Sequence, residues 1–126
     1  MKVEGQQDLR ARTKALSLRI IKLFAALPMS PVAQVLGKHV LRSGTSVGAH
    51  YHEACRAKSN ADFISKIEGG LQELEETSYW LDLIGEAGLV ELDRLKPFQL
   101  EVEELIAMFV TMVKNVKSKH GGRMAR

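Results

Sequence analysis

The sequence predicts an all-α fold: an up-down-up-down antiparallel four-helix bundle that assembles into a ring-like homo-oligomer. Three observations carry the bundle, and the second apolar face of the first helix carries the assembly. Apolar residues recur at steps of three and four through four long stretches, with no strand-like alternation between them. The three prolines, at positions 28, 31 and 97, fall where those stretches begin or end. The 126 residues suffice for one domain, and 45% hydrophobic with 26% charged content is an ordinary globular balance.

The first helix is expected over about 8–27, with Asp8 as N-cap and Pro28 as its stop. Leu9, Leu16, Ile20, Leu23 and Leu27 form its core stripe. Leu18, Ile21 and Ala25 lie on nearly the opposite side, so the helix has two apolar faces and is expected to have two partners, one of them another subunit.

The second helix is expected over about 30–57. Ser30 is a suitable N-cap, and Pro31 suits the first helical position, where its missing N–H is no loss. Val35, Leu36, Val40, Val47, Tyr51 and Ala54 keep a helical beat. The third helix, about 59–87, opens on a weak capping box, Ser59 with Asp62, and closes near Gly85 or Gly88. The fourth, about 93–118, alternates steps of three and four through Leu95, Phe98, Val102, Leu105, Phe109, Met112 and Val116, with Pro97 near its start. Its early glutamates and late lysines complement the helix dipole. The tail 119–126 is expected to fray.

"SGTSVG" in the second helix resembles a loop but is expected to be helix. A phosphate loop needs a preceding strand and a Lys followed by Ser or Thr, and neither is present. His50, His52 and Cys55 do not make a metal site: two of them at most share a helix face. Cys55 and Ser46 sit in no nucleophile signature, so catalysis is not expected, nor is a cofactor. Instead Gly44 and Gly48 share a face. Folding the chain about Lys58 brings Gly48 level with Gly69 and Gly70, Arg42 near Glu73 and Glu76, and Glu53 near Lys66. The glycines are therefore expected to let the second and third helices approach closely.

The formal net charge of +3 is unevenly spread. Residues 1–58 hold 10 Lys/Arg against 3 Asp/Glu, residues 59–104 hold 3 against 12, and residues 105–126 hold 5 against none. Such blocks either pair within an assembly or present a basic face to nucleic acid. Candidate phosphate contacts are Arg10, Arg12, Lys14, Arg19 and Lys22 in the first helix, with Lys114, Lys117 and Lys119 in the last. With 6% aromatic content, base stacking is not expected. A single cysteine permits no internal disulfide, the N-terminus lacks the apolar core of a signal peptide, and no apolar run is long enough to span a bilayer; the expected location is cytoplasmic.

"LRSGTSVGAHYHEACRAKSNADFISKI" and "ELEETSYWLDLI", with "RTKALSLRIIKLFAALP" upstream, resemble the four-helix bundle proteins first noticed in intervening sequences of large-subunit ribosomal RNA genes. The resemblance covers roughly residues 8–118. Arg42, Ser43, Gly44, Ser46, Gly48, Glu53, Arg56, Glu76, Tyr79 and Trp80 match the family signature. His50 stands where the family usually has Asn, His52 where a basic or other polar residue is common, and Gly69-Gly70 is richer in glycine than usual. The family is similar in fold to the accessory variability determinant of diversity-generating retroelements, a pentameric basic barrel that works with nucleic acid and a reverse transcriptase. The resemblance implies a cytoplasmic, non-enzymatic homopentamer of unknown function. Its expected partners are itself, RNA or DNA through phosphate contacts, and a reverse transcriptase or other protein, with no membrane. A purely structural scaffold, binding itself and a protein partner, is the alternative.

Overall fold

The computed structural model describes residues 3–124, and side chains over 8–119. Four helices follow one another with short connections: α1 Val3–Ala26, α2 Pro31–Ala54, α3 Asn60–Glu86 and α4 Leu92–Met124. There is no strand among the described residues. The Gly-rich stretch is continuous helix within α2.

The helix ends follow local chemistry. Ser30 caps α2, its Oγ accepting from the Ala33 amide at 3.3 Å, and Pro31 takes the first helical position. Ser59 caps α3 by accepting from the Asp62 amide at 3.0 Å. Asp62 answers one residue further out than a standard capping box, accepting from the Lys58 amide at 3.1 Å. At the other end of α3, Gly88 takes a φ of 77°. The Leu89 amide returns to the Ile84 carbonyl, and the Gly88 amide to that of Gly85, a Schellman closure that only a residue at ease in the left-handed region forms readily.

Three boundaries differ from expectation. Asp8 lies inside α1, which already runs from Val3, so it is not a cap. The second helix ends at Ala54, and the amides that follow it tighten into turns onto Glu53 and Ala54. The fourth helix runs past 118 to Met124, with no proline to stop it, and the last two residues lie outside the described ones.

The core is the meeting of four stripes. Leu16, Ile20, Val40, Val47, Ile67, Leu74, Leu81, Ile84, Leu95, Val102, Leu105 and Phe109 are buried almost completely. The α4 seam turns slightly: Val113 is buried, while Met112 and Val116 are only partly covered. Val35, expected in the core beat, is exposed because it sits opposite Gly44 on α2, away from both neighbours.

α2 packs between α1 and α3, and α3 against α4. Residues that meet show the register. Along α2, Gly37 lies on Phe24 and Leu27, Gly44 on Ile20, and Gly48 beside Thr13 and Ser17. On the other flank, His39 stacks on Trp80 at 4.2 Å, Ser43 accepts a 2.9 Å hydrogen bond from Thr77, and His50 lies on Gly69. Gln99 donates to Asp82 at 2.9 Å between α4 and α3. In each pair, higher numbers on one helix meet lower numbers on the other.

The glycines divide in a way that their spacing does not predict. Gly44 and Gly48 face α1, not α3. A Cβ at Gly44 would lie 2.9 Å from Ile20 Cγ1, so this position needs glycine. Across the α2–α3 crossing it is Gly69 and Gly70 that make room, and what they admit is the ring of His50 together with Phe109. The expected ion pairs across that crossing do form. Arg42 donates to Glu73 at 3.1 and 3.3 Å and to Glu76 at 2.8 Å, and Lys66 lies 3.6 Å from Glu53.

Candidate nucleic-acid interface

The cations of α1 part company around the helix. Arg12 turns toward α4 and donates twice to Glu101, at 2.8 and 3.0 Å, and to Glu104 at 2.7 Å. These hydrogen bonds raise the pKa of Arg12 and hold the Glu101 carboxyl below the usual glutamate range. Arg19, on the same flank, lies over the Phe98 ring, 4.6 Å from its centroid. Both guanidinium groups tie α1 to α4.

Arg10 and Lys14 point the other way, into a groove between α1 and α2. They are one helical turn apart, a rise of about 6 Å. His52 closes the α2 side, beside Tyr51, whose phenol burial pushes above its ordinary pKa. The groove exists because its walls are small: Ala11, Thr13 and Ser17 on α1 meet Thr45, Gly48 and Ala49 on α2. Its volume is about 560 Å³, and no acidic residue lines it among the described residues. Arg10 and Lys14 carry no ion pair among the described residues.

The remaining candidate cations scatter. Lys22 joins Arg19 and Arg94 around a smaller hollow floored by Leu23, Val90 and Phe98. Lys117 pairs with Glu68 at 3.3 Å, and Lys114 and Lys119 are exposed on α4.

The signature residues do not converge on one site. Ser43 is buried against Thr77, and Gly44 against Ile20. Ser46 donates to the Arg42 carbonyl at 2.6 Å. Arg42 and Glu76 pair on the α2–α3 surface, and Tyr79 meets Trp80 edge-on at 5.1 Å. Glu53 pairs with Lys66, Arg56 is exposed at the α2–α3 turn, and Gly48 lies on the groove floor. Most of them hold α2 to its neighbours. No three His, Cys, Asp or Glu side chains gather as a metal site among the described residues, and no helix is long and apolar enough to cross a membrane. Thr13, Ser17, Thr45, Ala49 and Tyr51 do not stand out as site residues from sequence. Their only signal is a run of small or hydroxyl side chains on one flank.

Fold and groove together define an all-α four-helix bundle protein with a cationic cleft between its first two helices. The family model of the 23S rRNA-intervening sequence protein matches residues 6–111. The chain belongs to that family. It is also similar to a protein of unknown function from the S23 ribosomal protein family of Bacteroides thetaiotaomicron VPI-5482, known from its crystal structure. The two align with a TM-score of 0.81 at 30% identity, over 86% of this chain and 97% of that one. No curated protein matches the chain.

Proposed function

We propose that the protein is a non-enzymatic binding module that holds nucleic acid through phosphate contacts in the α1–α2 groove. The observation that carries this is the placement of Arg10 and Lys14, one turn apart beside His52 in a cleft with no acidic residue in its described lining, and without an ion pair among the described residues. Cations spaced along a groove attract a phosphate backbone without reading sequence. Arg12 and Arg19, held by α4, contribute little to this surface. A cytoplasmic location and a nucleic-acid-processing protein such as a reverse transcriptase as a further partner belong to the same reading.

The test is a gel shift on generic RNA and DNA over a salt series. Binding at low salt that weakens linearly in log–log form supports the reading, and no binding at low salt defeats it.

A structural scaffold is the second reading, and α1 favours it. Leu18 is 52% exposed and Ile21 45%, with Ala25 exposed beside them. The register supports an up-down-up-down antiparallel bundle, and this outer apolar face suits a second subunit in a ring; the number five rests on the resemblance alone. Light scattering that gives the mass of a single 14.0 kDa chain at micromolar concentration would remove this reading.

A further inference from the structure

We infer that the α1–α2 groove prefers RNA to DNA, because its floor offers hydrogen-bond acceptors to a ribose 2′-hydroxyl. The inference rests on the phosphate-binding reading of the same groove and adds the class of sugar.

The floor is made of hydroxyl groups whose protons are already committed. Thr13 Oγ1 donates to the Leu9 carbonyl at 2.8 Å, Ser17 Oγ to the Thr13 carbonyl at 3.2 Å, and Thr45 Oγ1 to the Leu41 carbonyl at 2.7 Å. A hydroxyl has one proton and two lone pairs. With the proton turned back to its own helix, the half-buried Ser17 and Thr45 present only lone pairs to the cleft, while Thr13 is buried beneath them. A phosphate oxygen gains nothing from a lone pair, so this floor is a poor cradle for the anion itself. A ribose 2′-hydroxyl is a donor and matches it, whereas deoxyribose has nothing to give. The phosphate partners stand elsewhere in the cleft: Arg10, Lys14 and His52.

Gly48 supplies an independent argument. A Cβ there would sit 3.5 Å from Thr13 Oγ1 and from the Thr13 carbonyl, and 3.6 Å from Ser17 Oγ. Those are ordinary contacts, so packing tolerates alanine, and alanine is the better helix former. Glycine at this position is not required by the fold. Thr13 itself is buried, so the effect of the glycine is to leave the half-buried Ser17 hydroxyl uncovered. At Gly44, by contrast, Ile20 leaves no room for a methyl group. An acceptor floor that stays open, beneath cations one turn apart, is an arrangement for a sugar-phosphate backbone whose sugar donates.

The test compares oligo-uridine with oligo-deoxyuridine of equal length, so that the two probes differ only in the 2′-hydroxyl. Fluorescence anisotropy at low salt is expected to give RNA affinity about three- to tenfold above DNA, the worth of a net neutral hydrogen bond. In Gly48→Ala the ratio is expected to fall toward one while the melting temperature does not drop. Thr45→Val and Ser17→Ala, at partly exposed positions, are expected to lower the ratio independently of Gly48. Equal affinity for both probes, or tighter DNA binding, overturns the RNA inference and leaves the phosphate reading standing. Failure to bind either probe overturns both. An undiminished ratio in all three variants places the discrimination outside the groove and also overturns the inference.

Discussion

The two flanks of α1 carry the same kinds of side chain and meet opposite fates. On one flank, Arg12 and Arg19 are locked against α4 by Glu101, Glu104 and the Phe98 ring. On the other, Arg10 and Lys14 stand over small hydroxyl and glycine residues with no carboxylate among the lining. Charge alone does not separate them. What separates them is the neighbouring helix: α4 brings glutamates to its flank, and α2 brings Thr45, Gly48 and Ala49 to the other. One flank is therefore structure, and the other is available surface.

The sharpest way to break that contrast is to remove Arg12. Its guanidinium, about a quarter exposed, makes charge-assisted hydrogen bonds to two carboxylates. Arg12→Ala strands Glu101 on a half-buried flank. It is expected to lower unfolding stability by about 1.5–3 kcal/mol, the usual worth of hydrogen bonds to charged groups. Urea denaturation reads this directly. A change below about 0.5 kcal/mol, the range of plain surface substitutions, would mean the flank is not structural after all.

The same pair has a pH signature. Arg12's hydrogen bonds, with its charge, hold the Glu101 carboxyl below its ordinary range. An acid with a depressed folded pKa adds stability that is present above the unfolded value, about 4.3 for Glu, and is lost as pH falls through the folded one. Wild type should therefore lose stability more steeply below about pH 4 than Glu101→Gln does. The two should differ at pH 7 and converge in acid. Parallel curves from pH 7 to pH 2 would show that the pair contributes nothing to the acid transition.

These contrasts were only partly legible in the sequence, for a geometric reason. Folding a hairpin about its turn is one-dimensional, so counting from Lys58 placed Arg42 beside Glu73 and Glu76, and Glu53 beside Lys66. Caps are local too, and Ser30, Pro31 and Ser59 sit as their chemistry demands. Which way a helix face points is not one-dimensional. Gly44 and Gly48 share a face by spacing, yet spacing does not say whether that face meets α1 or α3. Ser43, one residue away from Gly44, is about 100° around the helix and belongs to the α3 side. The groove was invisible for the same reason: its floor requires the α2 rotation that sets Gly48 against Thr13. Arg12 and Arg10 likewise look equivalent until α4 and α2 are both in position.

The smallest expected stability effect is on the open flank, and it sharpens the comparison most. Arg10→Gln and Lys14→Gln remove charges that make no ion pair among the described residues, so each should change unfolding stability by less than about 0.5 kcal/mol. Their effect belongs in binding. For a single strand, removing one phosphate-neutralising cation should flatten the log–log salt slope by about 0.7, so the double variant should flatten it by roughly 1.4. Arg12→Gln is the matched control, with the same charge removed from the same helix two residues away. It should destabilise the bundle and leave the salt slope nearly unchanged, since its charge already belongs to Glu101 and Glu104. Nonspecific attraction to net charge would instead flatten the slope equally for all three positions. If Arg12→Gln weakens binding as much as Arg10→Gln in the still-folded fraction, the two flanks are not distinct, and the groove has no claim on the phosphate backbone.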